Sequence, residues 1–226
     1  MKRSMISILH ILFFLKGFCQ QSDSLKINLD VVFNNRPVTL NDSVYHIQNG
    51  HGIKLETLKF YLSGIQLLQN GKVVYSEKNS YHLVDVSRDG SRKHLLQTTD
   101  QFTFDQVRFN LGIDSTTNVS GAMGGDLDPT KGMYWTWQSG YVNFKMEGTS
   151  GASDKRFEFH LGGYQHPFSS LQIITLDVPA KRDVNLMLDL GQFFKEVDLS
   201  GQKNIMSPCA EGVTLSQQLA HCFGVK

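Results

Sequence analysis

In the stretch RFEFHLGG, residues 156–163, Phe157, Phe159 and Leu161 fall at every second position. That period fits a pleated strand with one buried face and excludes an amphipathic helix. The alternation recurs along the chain. Leu25, Ile27, Leu29 and Val31 alternate with polar neighbours, and apolar runs follow at YHLVDV, FTFDQVRFNLG, GYVNFKMEG, SLQIITLDV and DVNLMLDLG, separated by Gly, Asn, Asp and Ser clusters. In FYLSGIQLLQNGKVVYSE, Asn70-Gly71 stands between two apolar runs, the pair that a tight hairpin turn demands. Roughly nine such strands predict an all-β chain, an antiparallel β-sandwich or barrel-like sandwich. Only GVTLSQQLAHCFG, near the C-terminus, reads as a short helix, with Val213, Leu215, Leu219 and Phe223 as its apolar positions.

The chain has 226 residues, which fits one domain, and 40% apolar with 19% charged residues is the balance of a chain with a sizeable core. Residues 1–19 read as an address and not as structure. Lys2 and Arg3 precede an apolar run from Met5 to Leu15, with Gly17-Phe18-Cys19 after it, the charged, apolar and small-residue order of a secretory signal. The run is too short for the ~20 apolar residues of a membrane span. The expected organisation is therefore a signal peptide over 1–19 and one β domain over 20–226, exported to the periplasm or cell envelope. A lipid anchor on Cys19 is the lesser alternative, because bulky Phe18 stands where a lipoprotein signal places a small residue. Without the signal, 19 basic residues face 21 acidic ones, so nothing in the charge calls for nucleic acid.

Export also governs the cysteines. Once Cys19 is set aside, Cys209 and Cys222 remain as a pair in an oxidising compartment, where a disulfide clipping the C-terminal tail is the expectation. Two thiols at this spacing, with only His221 adjacent, match no common zinc site.

Residues 132–148, GMYWTWQSGYVNFKMEG, hold both tryptophans of the chain, Trp135 and Trp137. If the segment is extended, the two indoles share a face, which suits either the roof of a core or a surface platform. Other chemistry is poorly supported. DLDPTKG begins like a calcium loop, but Lys131 takes the place of the turn glycine and Trp137 that of the bidentate Glu. GAMGGDLD lacks the lysine and helix of a phosphate cradle, no Gly-x-Ser-x-Gly is present, and no paired carboxylates suggest acid–base catalysis.

LDPTKGMYWTWQSGYVNFKMEG, followed by FEFHLGG and preceded by LKFYLSGIQLLQNGKVVY and YHLVD, resembles the MbnP-like family of secreted copper-binding proteins. The resemblance runs from about Leu25 to Phe194. It implies an all-β, non-catalytic protein of the periplasm or cell surface with copper as cofactor. It also implies a dihaem, cytochrome c peroxidase-like partner of the MbnH type, which oxidises a tryptophan to kynurenine, and, for a delivery role, a copper transporter. Trp135 and Trp137 are the candidates for modification. The chemistry explains the need, since an indole N–H only donates, whereas kynurenine offers an aniline nitrogen and a ketone.

By the same resemblance His160, in FEFHLGG, is the first candidate copper ligand, then His82 in YHLVD; His166, in YQHPF, is a third because it lies near His160, beyond Gly162-Gly163, where a loop could swing it either way. From its strand position, His160 points away from the apolar face, where Glu158 or water would satisfy it. His46, His51 and His94 read as solvated loop positions. A relative in that family uses a histidine two residues after its modified tryptophan, where this chain has Trp137 or Ser139. The competing expectation is an envelope β-sandwich without metal, structural or carbohydrate-binding, that uses the aromatic block for packing or as a platform.

Overall fold

The computed structural model describes residues 24–47, 50–100, 103–138, 140–151, 155–179, 182–199 and 203–226; the signal segment, Cys19 and Ser139 lie outside these. The strands are β1 (Leu25–Phe33), β2 (Arg36–Pro37), β3 (Val44–His46), β4 (Gly52–Gln69), β5 (Lys72–Ser76), β6 (Tyr81–Asp85), β7 (Leu96–Thr98) and β8 (Gln106–Leu111), then, after helix α1 (Ser115–Val119), β9 (Tyr134–Trp135), β10 (Gly140–Ser150), β11 (Lys155–Gly162), β12 (Gln172–Asp177) and β13 (Asp183–Asp189). Helix α2 (Leu190–Glu196), β14 (Lys203–Ile205), α3 (Ala210–Ala220) and β15 (Phe223–Val225) complete the chain.

Two sheets form a curled sandwich. The larger runs β12-β8-β4-β10-β11-β14 and the smaller β15-β13-β1-β2, with β7 also on β1. Inner-face residues of both, among them Ile27, Leu29, Phe60, Phe144, Phe159 and Leu186, make one buried core. Most pairings are antiparallel, but β1 with β13 and β11 with β14 are parallel. Alternation within a strand fixes which face is buried and is silent on the neighbour's direction, so the two parallel pairs carry no sequence mark.

Strand β4 organises the larger sheet. Its 18 residues are long enough to serve several partners in succession. Along one edge it pairs with β10 from Ile53 to Phe60 and then with β8 from Leu62 to Leu68; along the other it meets β3, β6 and β5. The β4–β5 hairpin closes through Asn70 (φ 51°) and Gly71 (φ 73°), the two positive φ values that a two-residue turn of this hand requires. Where β4 changes partner, at Tyr61, β10 and β8 part. The long β8–β10 connection folds back over this break on the outer face of the sheet.

That connection builds a second apolar cluster. Tyr61, Leu83, Ile113, Leu127, Met133, Trp135, Tyr141 and Val142 are buried together, outside the main core. Tyr141 anchors it: the hydroxyl accepts from Met123 N (3.0 Å) and donates to Leu127 O (3.1 Å), and the ring stands edge-on to Tyr61 and Tyr134.

Two expectations at the C-terminus change. Helix α3 buries Leu215 and Leu219, but Phe223 lies beyond it, in β15. Cys209 and Cys222 are free thiols. Cys209 caps the start of α3, its sulfur accepting from Gly212 N (3.4 Å), and Cys222 lies just past the other end. Eleven helical residues span about 16 Å, far beyond the ~6 Å between Cα atoms that a disulfide bridges. The helix that the sequence predicts between the cysteines is what keeps them apart.

Candidate functional site

The tryptophans sit in the β9–β10 hairpin, where Trp135 pairs with Gly140 and Tyr134 with Tyr141. Strand β9 ends at Trp135, and Trp137 belongs to the turn, so the two indoles are not successive residues on one face of a continuous strand. The turn still brings them together, with ring centroids 5.6 Å apart at 41°. Their environments differ sharply. Trp135 is 7% exposed within the second cluster, whereas Trp137 is 64% exposed.

Gly162, the last residue of β11, makes room for Trp135. A Cβ at 162 would lie 2.6 Å from Trp135 Cζ3, so only glycine lets the benzo edge of the indole rest on the strand. Strand alternation places His160 on the same face, one pleat repeat or about 7 Å away.

His160 is buried and its Nε2 lies 2.7 Å from Glu147 Oε1 on the neighbouring strand β10. Its partner is thus Glu147 across the strands and not Glu158 on its own. Thr57 donates to Glu147 Oε2 (2.9 Å), and Lys145 Nζ lies 3.3 Å from Oε1. Burial disfavours the Glu147 carboxylate, but hydrogen bonds from His160 and Thr57 and the Lys145 charge outweigh it and hold the pKa below the ordinary value. Burial also pulls the His160 pKa below its ordinary value, and the hydrogen bond to Glu147 only partly offsets this. The pair is therefore a carboxylate with a neutral imidazole. Because a carboxylate only accepts, the proton sits on Nε2 and the lone pair on Nδ1. A carboxylate that fixes the tautomer in this way is the outer partner typical of metal-binding histidines.

The other candidates are placed differently. His82, in β6, is half-buried with Nε2 2.7 Å from Glu77 Oε2, which also accepts the Ser80 hydroxyl. Strand order β6-β4-β10-β11 puts three strand spacings, about 14 Å, between His82 and His160. They cannot ligate one ion in this fold. His166 lies beyond Gly163, whose φ of 108° turns the chain off the sheet; it is exposed on a cleft of about 270 Å³ shared with Gln138, Tyr164 and Phe168. Gln138 is the neighbour of Trp137, so the cleft that holds His166 adjoins the tryptophan hairpin. His46, His51 and His94 are exposed, as expected.

Among the described residues, no group of three or more His, Cys, Asp or Glu side chains converges as a metal ion requires. On the face of β11 that Trp135 covers, the encoded nitrogen donor is His160, with Glu147 behind it on Nε2, too few for a closed copper site. Sequence reasoning missed Glu147, Thr57 and Lys145. Period-two alternation puts Glu147 on the outer face of its strand, but only the β10–β11 register brings it to His160.

Comparison with known proteins fits this architecture. MbnP from Methylosinus trichosporium has the same fold, with a TM-score of 0.59 at 16% identity, over 82% of each chain. No curated protein matches the sequence. The family described as MbnP matches residues 22–207, most of the chain and all of the strands that build the tryptophan hairpin and its surroundings. The chain belongs to the MbnP family.

Proposed function

We propose that the protein is an exported, non-catalytic copper binder, serving copper acquisition, storage or delivery, whose site is completed by oxidation of Trp135 to kynurenine. The observation that carries this reading is the close, tilted pair of unlike tryptophans: Trp137 presented to solvent, and Trp135 buried beside Gly162 on the face that holds His160. Among the described residues, His, Cys, Asp and Glu side chains do not converge as copper requires. A modified Trp135 supplies the missing nitrogen and oxygen where His160 already offers a neutral imidazole.

The oxidation balances with peroxide as oxidant. Cleaving the indole C2–C3 bond adds two oxygen atoms while two molecules of hydrogen peroxide are reduced to water. Hydrolysis of the resulting formamide then releases formate and leaves an aniline and a ketone. A dihaem, peroxidase-like partner of the MbnH type supplies the oxidising power, and exposed Trp137 is the group through which electrons leave buried Trp135. A copper transporter is the corresponding recipient for delivery.

A second reading has its own support. The cleft beside Trp137 combines Tyr164 and Phe168 with the Gln138 amide, a lining suited to a sugar ring, which favours an envelope ligand-binding sandwich. Copper titration of protein co-produced with its haem partner separates the two. Stoichiometric binding that is lost in Trp135→Phe and weakened in His160→Ala supports the first; equal, weak binding in all three proteins rejects it.

A further inference from the structure

The basic turn between β6 and β7, RDGSRKH (residues 88–94), takes no part in the tryptophan site, yet it is held in a demanding conformation. His94 has φ 54°, and it is the one described residue other than Gly and Asn with positive φ. Its backbone N–H donates to Asn28 Oδ1 (2.9 Å), which ties the turn to the outer face of the smaller sheet. There the parallel register sets Asn28 beside Asn185, with Nδ2 of the first donating to Oδ1 of the second (3.3 Å).

Between turn and sheet lies a cleft of about 570 Å³ lined by Asn28, Asp30, Asp89, Arg92, Lys93 and Asn185. Its charges come in both signs, and its ion pairs are exchangeable. Arg92 Nη2 meets Asp89 Oδ1 at 3.0 Å, but the Asp89 side chain is 89% exposed; Asp30 meets Lys226 at 2.8 Å across an open surface. Lys93 enters no ion pair among the described residues. Arg92 Nε is buried and finds no hydrogen-bond partner there. Nε is closed to solvent, so the guanidinium meets a ligand carboxylate through its Nη groups, where the exposed Asp89 can be displaced.

We propose that this cleft binds an α-amino-acid zwitterion, either a free amino acid or a short peptide with free termini. Its carboxylate docks on Arg92 and Lys93, its ammonium on Asp30 and Asp89, and the Asn28–Asn185 amides take the intervening polar backbone. The volume falls in the range of sites for ligands larger than one small amino acid, which favours the peptide.

Calorimetric titration of the mature protein with trialanine, free alanine, N-acetyl-trialanine amide and acetate tests the assignment. Saturable binding of trialanine is expected, with loss of binding on blocking both termini. Arg92→Gln should weaken it by roughly tenfold or more, the effect of losing a charge-assisted hydrogen bond, and Lys93→Gln, at an exposed position, serves if the first variant fails to fold. Tighter binding of trialanine than alanine identifies a peptide ligand, and the reverse an amino acid. The proposal is overturned if neither zwitterion binds saturably, if the blocked peptide or acetate binds as well as trialanine, or if a folded variant binds like the parent.

Discussion

Gly162 lies directly under the indole of Trp135, with room for a hydrogen and none for a methyl group. The contact couples the end of β11 to the β9–β10 hairpin, so the position of the buried tryptophan is set by a residue with no side chain of its own. Gly162→Ala should displace the indole and destabilise the fold by about 1–3 kcal/mol, the usual cost of overpacking. Denaturant unfolding measures the loss, and a red shift of tryptophan emission in the folded state reports the displacement.

The two tryptophans should be far from equivalent in stability. Trp135→Ala empties the second apolar cluster and is expected to cost about 3–5 kcal/mol, whereas Trp137→Ala should stay within about 0.5 kcal/mol of the parent. Paired unfolding curves check this. Similar losses for both would mean that the hairpin turn also carries core packing.

Acid should weaken the fold in two stages. The folded His160 pKa lies below the ordinary 6.5, so as pH falls through that value the unfolded chain takes up the proton first and stability declines until the folded imidazole also titrates. Glu147, held below its ordinary 4.5, contributes stability above that pH that is lost as pH falls through its depressed folded value. Melting temperatures at about pH 7.5 and about pH 5.5 should differ less in His160→Gln than in the parent. An unchanged difference would remove His160 as the source of the first stage.

Thiol chemistry should follow the helix and not the compartment. Under non-reducing conditions, alkylation and peptide mapping should find Cys209 modified in the folded protein. Cys222, whose thiol is pushed up to about 12 by burial, should react only after unfolding. A cross-linked Cys209–Cys222 peptide from native protein would require α3 to unwind and would contradict the fold described.

The strands were legible where they were long. Nine strands have five or more residues, and each coincides with an apolar run visible in the sequence; β2, β3, β7, β9, β14 and β15 are two or three residues long, too short to show a period. The hairpin at Asn70-Gly71 was legible because its backbone conformation selects those residues. The second apolar cluster was not, because it depends on where β4 exchanges β10 for β8, and that is a matter of register between distant strands. The disulfide expectation failed for a related reason: pairing thiols by compartment ignores the length of the helix between them. At the candidate site the two indoles and His160 stood out by type and position, whereas Glu147 became visible only through the β10–β11 pairing, and His82 was separated from the rest by strand order.

Whether Trp135 is oxidised is decided by peptide mass spectrometry across 132–148 on protein purified from its native envelope. The expected result is kynurenine at Trp135 with Trp137 retained as an indole. Two intact tryptophans in protein from cells that express the haem partner, or kynurenine at Trp137 alone, would contradict it.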